Sequence, residues 1–333
     1  MGDVWIKVIA GTVLACALPA APAMALADEA EEKLFSFRDA RITESSGLAL
    51  SPTHTGIYYT HNDSSAAAEF FAVDGAGRTK AAFRVSGAQA RDWEAMAASK
   101  DPATGRGVLW FADIGDNLDG AWPDISIYKV MEPASMRDAT VPAVRYRFRY
   151  ADGARNAEGI MVNPRTGRLS VVSKEFSGAV YEAPLKLRTG RVNILRKAAA
   201  APMMATDAAY APDGSSYVVR TYFSATLFRP SGDIITKISM PPLDQAESIA
   251  YTADGKALLT GSEGVRSPLY RVPLPQRALA SSGSTPTPSK KASVAAAETA
   301  QDERGLSGQD ILIWLAAAVG ATAVIAVIAR RSR

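Results

Sequence analysis

Cysteine is nearly missing: Cys16 is the single one in 333 residues. It lies in an N-terminal segment built like a secretory leader. Lys7 precedes an apolar core at Val8–Leu18, prolines follow at 19 and 22, and Ala25-Leu26-Ala27 stands before Asp28. Cleavage after Ala27 would leave a mature chain with no thiol and no disulfide, which excludes thiol catalysis and leaves the fold resting on its core. Histidine is almost as scarce, with only His54 and His61. There is no Gly-x-Ser-x-Gly elbow, no His-Glu-x-x-His pair and no phosphate-cradling glycine loop. Neither sign of charge dominates: the formal net charge is +3, with both signs spread along the chain, so no nucleic-acid partner is expected. The most basic stretch, Arg145-Tyr146-Arg147-Phe148-Arg149-Tyr150, alternates strictly and reads as a strand with one solvated face.

A long uncharged run occurs at the C-terminal end, from Ile311 to Ala329, between Asp310 and Arg330-Arg331. At ~1.5 Å per residue it spans about 28 Å, the thickness of a bilayer core. A retained single-pass cell-membrane anchor is expected, with the basic end cytoplasmic and the body outside. The stretch before it is rich in Ser, Thr, Pro, Ala and Lys and reads as a disordered linker. The expected organisation is a signal peptide at 1–27, a folded domain at 28–279, a linker at 280–309 and the anchor at 310–333.

Within the body, one short phrase recurs. Ser46-Gly47-Leu48-Ala49, Glu94-Ala95-Met96-Ala97, Glu158-Gly159-Ile160-Met161, Asp207-Ala208-Ala209-Tyr210 and Glu247-Ser248-Ile249-Ala250 each open with a polar residue, acidic in four cases, and pass into small and apolar ones. Their starts are 48, 64, 49 and 40 residues apart. A strand recurring at that interval is the mark of a β-propeller, in which each repeat is a four-stranded blade. The intervals parse into four short strands each. The last repeat lacks its fourth strand, and Lys33–Arg41 has strand character with no blade of its own. An all-β, five-bladed propeller closed by the N-terminal strand is expected. Six blades are the alternative if the 64-residue interval hides one, although the loop Asp113–Asp124 accounts for its excess.

In such a fold the residue opening each inner strand and the loop after the second strand share one face. That face collects Glu44, Asp92, Glu94, Glu158, Asp207, Glu247, Asn156, His61, Asn62, Asp63, Asp113, Asp116, Lys174, Arg220 and Glu263, while His54 falls on the opposite one. Hard cations take six to eight oxygen ligands. Glu94, Glu158, Asp207 and Glu247, with Asn62 and Asp113, are candidate ligands for calcium. The competing reading is that acids opening these strands accept backbone N–H bonds from the next blade. His61, beside Asp63, is the candidate general base of a hydrolase. Lys174 and Arg220 favour an anionic ligand, with Asp63, Glu263 and Trp122 as further binding candidates.

Ser45-Ser46-Gly47-Leu48-Ala49 with His61-Asn62-Asp63-Ser64, and Asp92-Trp93-Glu94-Ala95-Met96-Ala97, resemble the opening segments of the SdiA-regulated and esterase-like-phytase propellers. Asp113-Ile114-Gly115-Asp116-Asn117, Ile127-Tyr128-Lys129-Val130 and Asn156-Ala157-Glu158-Gly159 are similar to segments of exported bacterial propellers. The resemblance covers most of residues 42–185. It implies a propeller with calcium on the tunnel axis and does not fix a reaction. Three functional readings stay open: a polar face that binds an extracellular ligand or protein, a calcium-assisted hydrolase of an ester, lactone, phosphate or glycan, and a spacer without a ligand.

Overall fold

The computed structural model describes residues 30–63, 67–118 and 120–281. The expected signal peptide, linker and membrane anchor lie outside these residues, and among the described residues no helix is long and apolar enough to cross a membrane.

The fold is all-β and propeller-like. The short strand β1 (Glu32–Ser36) comes first. Four antiparallel meanders follow. The first is β2 to β5 (Ser45–Leu50, Ile57–Asn62, Glu69–Asp74, Thr79–Ser86), and the second is β6 to β9 (Trp93–Lys100, Gly107–Asp113, Ile125–Met131, Ala139–Tyr150). The third is β10 to β13 (Ala157–Val162, Leu169–Ser173, Ala179–Glu182, Asn193–Ala200), and the fourth is β14 to β17 (Ala205–Tyr210, Tyr217–Thr221, Ser224–Phe228, Ile234–Ser239). The last three strands, β18 to β20 (Ser248–Tyr251, Ala257–Gly261, Pro268–Pro273), take β1 as their fourth, on the outer edge of β20. A short helix, α1 (Gln276–Ser281), ends the described chain.

The long second interval holds no additional meander. Its excess goes into the loop 114–124 and into β9, which runs for 12 residues. The early part of β9 pairs in parallel with β5 and its end with β13. Phe148 and Tyr150 turn inward from β9 while Arg145, Arg147 and Arg149 stay out, as the alternation dictates.

The first strand of each meander is buried where it opens, β6 over its first four residues and β10 at every residue. These strands lie side by side, and their later residues line a common cavity of about 860 Å³. Neighbouring meanders pack through five hydrophobic clusters, one per seam. Phe70, Phe83 and Phe111 fill the first seam, Trp110, Ile127 and Tyr181 the second, Val172, Tyr217 and Phe228 the third, and Val218, Leu227 and Leu258 the fourth. The fifth joins the last meander to the first through Phe35, Phe37, Phe71 and Leu259.

That fifth seam also uses the backbone. Phe37 N–H donates to Ser267 O at 3.1 Å and Arg38 N–H to Gly77 O at 2.9 Å. Gly77 closes the β4–β5 turn at φ 76°, and a Cβ there would stand 2.1 Å from Ser36 O. Only glycine suits both the conformation and the contact.

The seating of the N-terminal segment sets a stability expectation. Phe37, just after β1, is buried, so Phe37→Ala should cost about 3–5 kcal/mol in urea unfolding. A loss under about 1 kcal/mol would show that this segment does not hold the last strands to the first meander.

Candidate functional site

The candidate site is built from one irregularity repeated around the fold. Pairing register shifts between Ser45 and Gly47, Trp93 and Ala95, Ala157 and Gly159, and Ala205 and Asp207. A bulge therefore pushes out the same residue in four meanders: Ser46, Glu94, Glu158 and Thr206. In the fifth, Ser248 pairs with Gly261 as Asp207 pairs with Arg220, so Glu247 holds the corresponding place. The fourth repeat thus presents Thr206 where the sequence spacing suggested Asp207.

Asp207 does something else. It is fully buried, and its carboxylate accepts the Ala208 N–H at 2.7 Å and the Ile249 N–H of the next meander at 2.8 Å. Arg220, opposite it and also fully buried, donates Nε–H to Ala246 O at 3.2 Å. Burial pushes the Asp207 carboxyl well above its usual range and pulls the Arg220 guanidinium down to about 10. The two residues fasten the fourth meander to the fifth.

The three glutamates are not used that way. Lys174, in the loop after β11, donates to Glu158 Oε1 and, at 2.8 Å, to the Tyr222 hydroxyl. Tyr222 in turn stabilises the Glu247 carboxylate by a hydrogen bond. Glu158 Oε2 is buried without a hydrogen-bond partner. Burial raises the carboxyl pKa of Glu94, and Glu158, Asp63 and Asp92 raise it further. Burial also raises Glu158 and Glu247, against the pull of Lys174. Glu263 is pushed up to about 8 by burial and by the charges of Glu247, Asp63 and Glu44. Burial disfavours the Lys174 ammonium, but Glu158 and Glu247 outweigh it and hold the lysine charged.

Asp63, Asp92 and Glu94 place carboxylate oxygens within 4.8 Å of one another. Asp92 lies in the bend just ahead of β6 and Glu94 is the residue displaced by the bulge at its start. Gly115 makes room for both: a Cβ on it would lie 2.1 Å from Glu94 Oε1 and 2.2 Å from Asp92 Oδ2. These three carboxylates, with the unpaired Glu158 oxygen nearby, form a hard, all-oxygen donor set of the kind that suits a divalent cation such as calcium.

Other candidates go elsewhere. Asn62 Oδ1 accepts the Thr43 and Glu44 N–H groups at 3.0 and 3.2 Å, which ties down the entry to β2. Asp113 accepts the Asp92 N–H at 2.9 Å and faces Arg91 Nε at 3.9 Å. Trp122 is half-buried beneath the Arg91 guanidinium, 4.3 Å from ring centroid to cation. His61 is fully buried in β3, edge-on to Trp93 and Phe111, with Nδ1 2.9 Å from Asn62 O. Burial lowers its pKa and keeps it neutral. His54 lies at the opposite end, Nε2 2.9 Å from Pro133 O.

The repeat spacing placed Asp92 on this face without naming it a ligand, and it did not single out Tyr222 or Gly115. The Asp-x-Glu step at residues 92–94 carried a readable signal for Asp92, whereas Tyr222 and Gly115 are defined by what the folded chain brings to them.

No protein-family model matches the chain, and no curated protein sequence matches it. The gluconolactonase XC5397 of Xanthomonas campestris is similar in structure at a TM-score of 0.42 and 15% identity, over 66% of this chain and 69% of that one. U3-55K is similar at a TM-score of 0.40 and 11% identity, over 69% and 80%.

The raised carboxyls fix a pH dependence. Folded, they keep protons that the unfolded chain releases, so stability falls as pH rises; for Glu263 the window runs from about 4.5 to about 8. His61 opposes this only near and below its usual value of 6.5. In chelator, the melting temperature should therefore drop between pH 7 and pH 8.5, and less so for Glu263→Gln. A melting temperature that rises over that interval would contradict this account of the site.

Proposed function

We propose that residues 28–279 form a five-bladed β-propeller, closed by β1, that binds a divalent cation at the acidic end of its axis and recognises ligands there. The five meanders, the packing of the last against the first and the place of β1 support the architecture. The resemblance over residues 42–185 to the SdiA-regulated and esterase-like-phytase propellers agrees with it. The convergence of Asp63, Asp92 and Glu94 around Gly115 is the observation that carries the cation site. Glu94, Glu158 and Glu247 are buried at this end, and buried carboxylates held together without a cation carry repulsion and desolvation at once. Calcium is the cation that an all-carboxylate set favours. The leader and the apolar run at 311–329 support an exported, membrane-anchored protein.

A hydrolytic reading is second. Lys174 and Tyr222 beside Glu158 would hold an anionic group of an ester, lactone, phosphate or glycan next to the cation. A bound divalent ion there would polarise that group and lower the pKa of water. His61, enclosed by Trp93 and Phe111, is not placed to take a proton from a ligand at this end.

Calorimetric titration tests the proposal. Calcium should bind saturably to the protein and raise its melting temperature. Glu94→Gln and Gly115→Ala should each weaken binding by about tenfold or more, the scale on which metal sites respond to a disturbed ligand shell. Absence of heat and of any thermal shift with calcium, magnesium, manganese and zinc would remove the cation site.

A further inference from the structure

The loops joining second to third strands all lie at the end of the fold where the inner strands begin. In four consecutive meanders such a loop carries one large apolar residue that faces solvent: Leu118, Phe176, Phe223 and Val265. Phe176 and Phe223 are 82% and 87% exposed. Met203, in the β13–β14 loop at the same end, is exposed as well. A solitary exposed apolar side chain on a loop is ordinary. Recurrence at the same place in successive repeats, around a polar centre, is the pattern of an interaction surface. The backbone agrees, since Met204 and Arg266, next to two of these residues, hold left-handed φ values of 54° and 58° without being glycine.

The charge inside this crown points to what sits on it. Glu44 is exposed and Asp63 and Glu263 are half-buried, and the three repel one another and Glu247. Apart from Arg266, which is exposed beside Val265, the basic side chains at this end are engaged. Lys174 is bound to Glu158, Arg155 to Asp152 and Glu175, and Arg41 to Asp39. An apolar rim around an anionic centre is complementary to a cationic group carried between apolar ones. It is a poor match for the anionic surface of a bilayer.

We propose that this crown is a docking surface for a second polypeptide that presents a lysine or arginine flanked by aromatic or aliphatic side chains. The apolar flanks rest on Phe176, Phe223 and Val265, and the basic group enters toward Glu44 and Glu263. Exposed aromatic anchors supply affinity in such interfaces and charge complementarity supplies selectivity. The surface goes beyond the cation site and does not require it.

Selection of a random twelve-residue display library on the full-length protein tests this, once with calcium and once with chelator. Enriched peptides should carry a basic residue between apolar ones under both conditions, which separates the result from success or failure of the cation site. A synthetic copy of the leading peptide should bind Phe176→Ser/Phe223→Ser at least about tenfold more weakly, and should lose as much when its basic residue becomes glutamine. Because both phenylalanines are exposed, the double variant should keep its melting temperature. No enrichment, enrichment of acidic peptides or affinity unchanged in the double variant would overturn the proposal. So would co-sedimentation of the protein with phosphatidylcholine vesicles that the double variant loses, which would make the crown a membrane contact.

Discussion

Everything in this fold depends on five inner strands lying side by side at the centre. Neighbouring strands crowd where they open, and four of the five first regular pairs include a glycine or an alanine. Gly47 faces His61, Ala95 faces Ala112, Gly159 faces Val172, and Ser248 faces Gly261. A Cβ on Gly47 would stand 2.2 Å from His61 Nε2, which shows how tightly that pairing is set. Asp207 facing Arg220 fills the same place with buried polar groups: the Asp207 carboxyl accepts the N–H groups of Ala208 and Ile249, while Arg220 uses only its Nε–H, on the Ala246 carbonyl, and both of its terminal nitrogens are buried without a hydrogen-bond partner among the described residues.

The same crowding generates the candidate site. Just before this pair the strand bulges in four of the five meanders, and the displaced residue leaves the ladder; in the fifth, Glu247 stands at the corresponding place ahead of β18. Where it is Ser46 or Thr206, its hydroxyl reaches a carbonyl of the next meander, Glu94 O at 2.6 Å or Ala246 O at 2.9 Å. Where it is Glu94, Glu158 or Glu247, the longer side chain carries its carboxylate toward the others. Structural fastening and candidate chemistry are two outcomes of one position, decided by side-chain length.

This is why the sequence was legible up to a point. Polar-small-apolar phrases at intervals of 40 to 64 residues revealed the meanders, and turn residues such as Asp74-Gly75-Ala76-Gly77 revealed their strands. The phrase could not reveal the bulge. Asp207 is followed by small residues just as the glutamates are, yet the extra residue in the ladder moves it inward by one and sets Thr206 at the mouth. His61 was legible as the end of a strand, but its burial between Trp93 and Phe111 depends on a neighbouring meander 32 to 50 residues away in the chain. Glu158, in β10, and Lys174, just after its partner strand β11, belong to one meander, whereas the Tyr222 hydroxyl that shares Lys174 required the packing of the third meander against the fourth.

The balance of charge at that end argues for a ligand over a spacer. A spacer needs only a soluble surface, and solvated carboxylates would serve it. Here Glu94, Glu158 and Glu247 are buried, raised in pKa by that burial and by one another, and Lys174 directly pairs with only one of them. Gly115 yields its side-chain volume to two of the carboxylates in this cluster. Burial of like charges costs stability, and folds retain it chiefly where binding recovers the cost. A cation among Asp63, Asp92 and Glu94 would recover it by direct compensation of charge, and would leave Lys174 and Tyr222 at the edge to meet what the cation attracts.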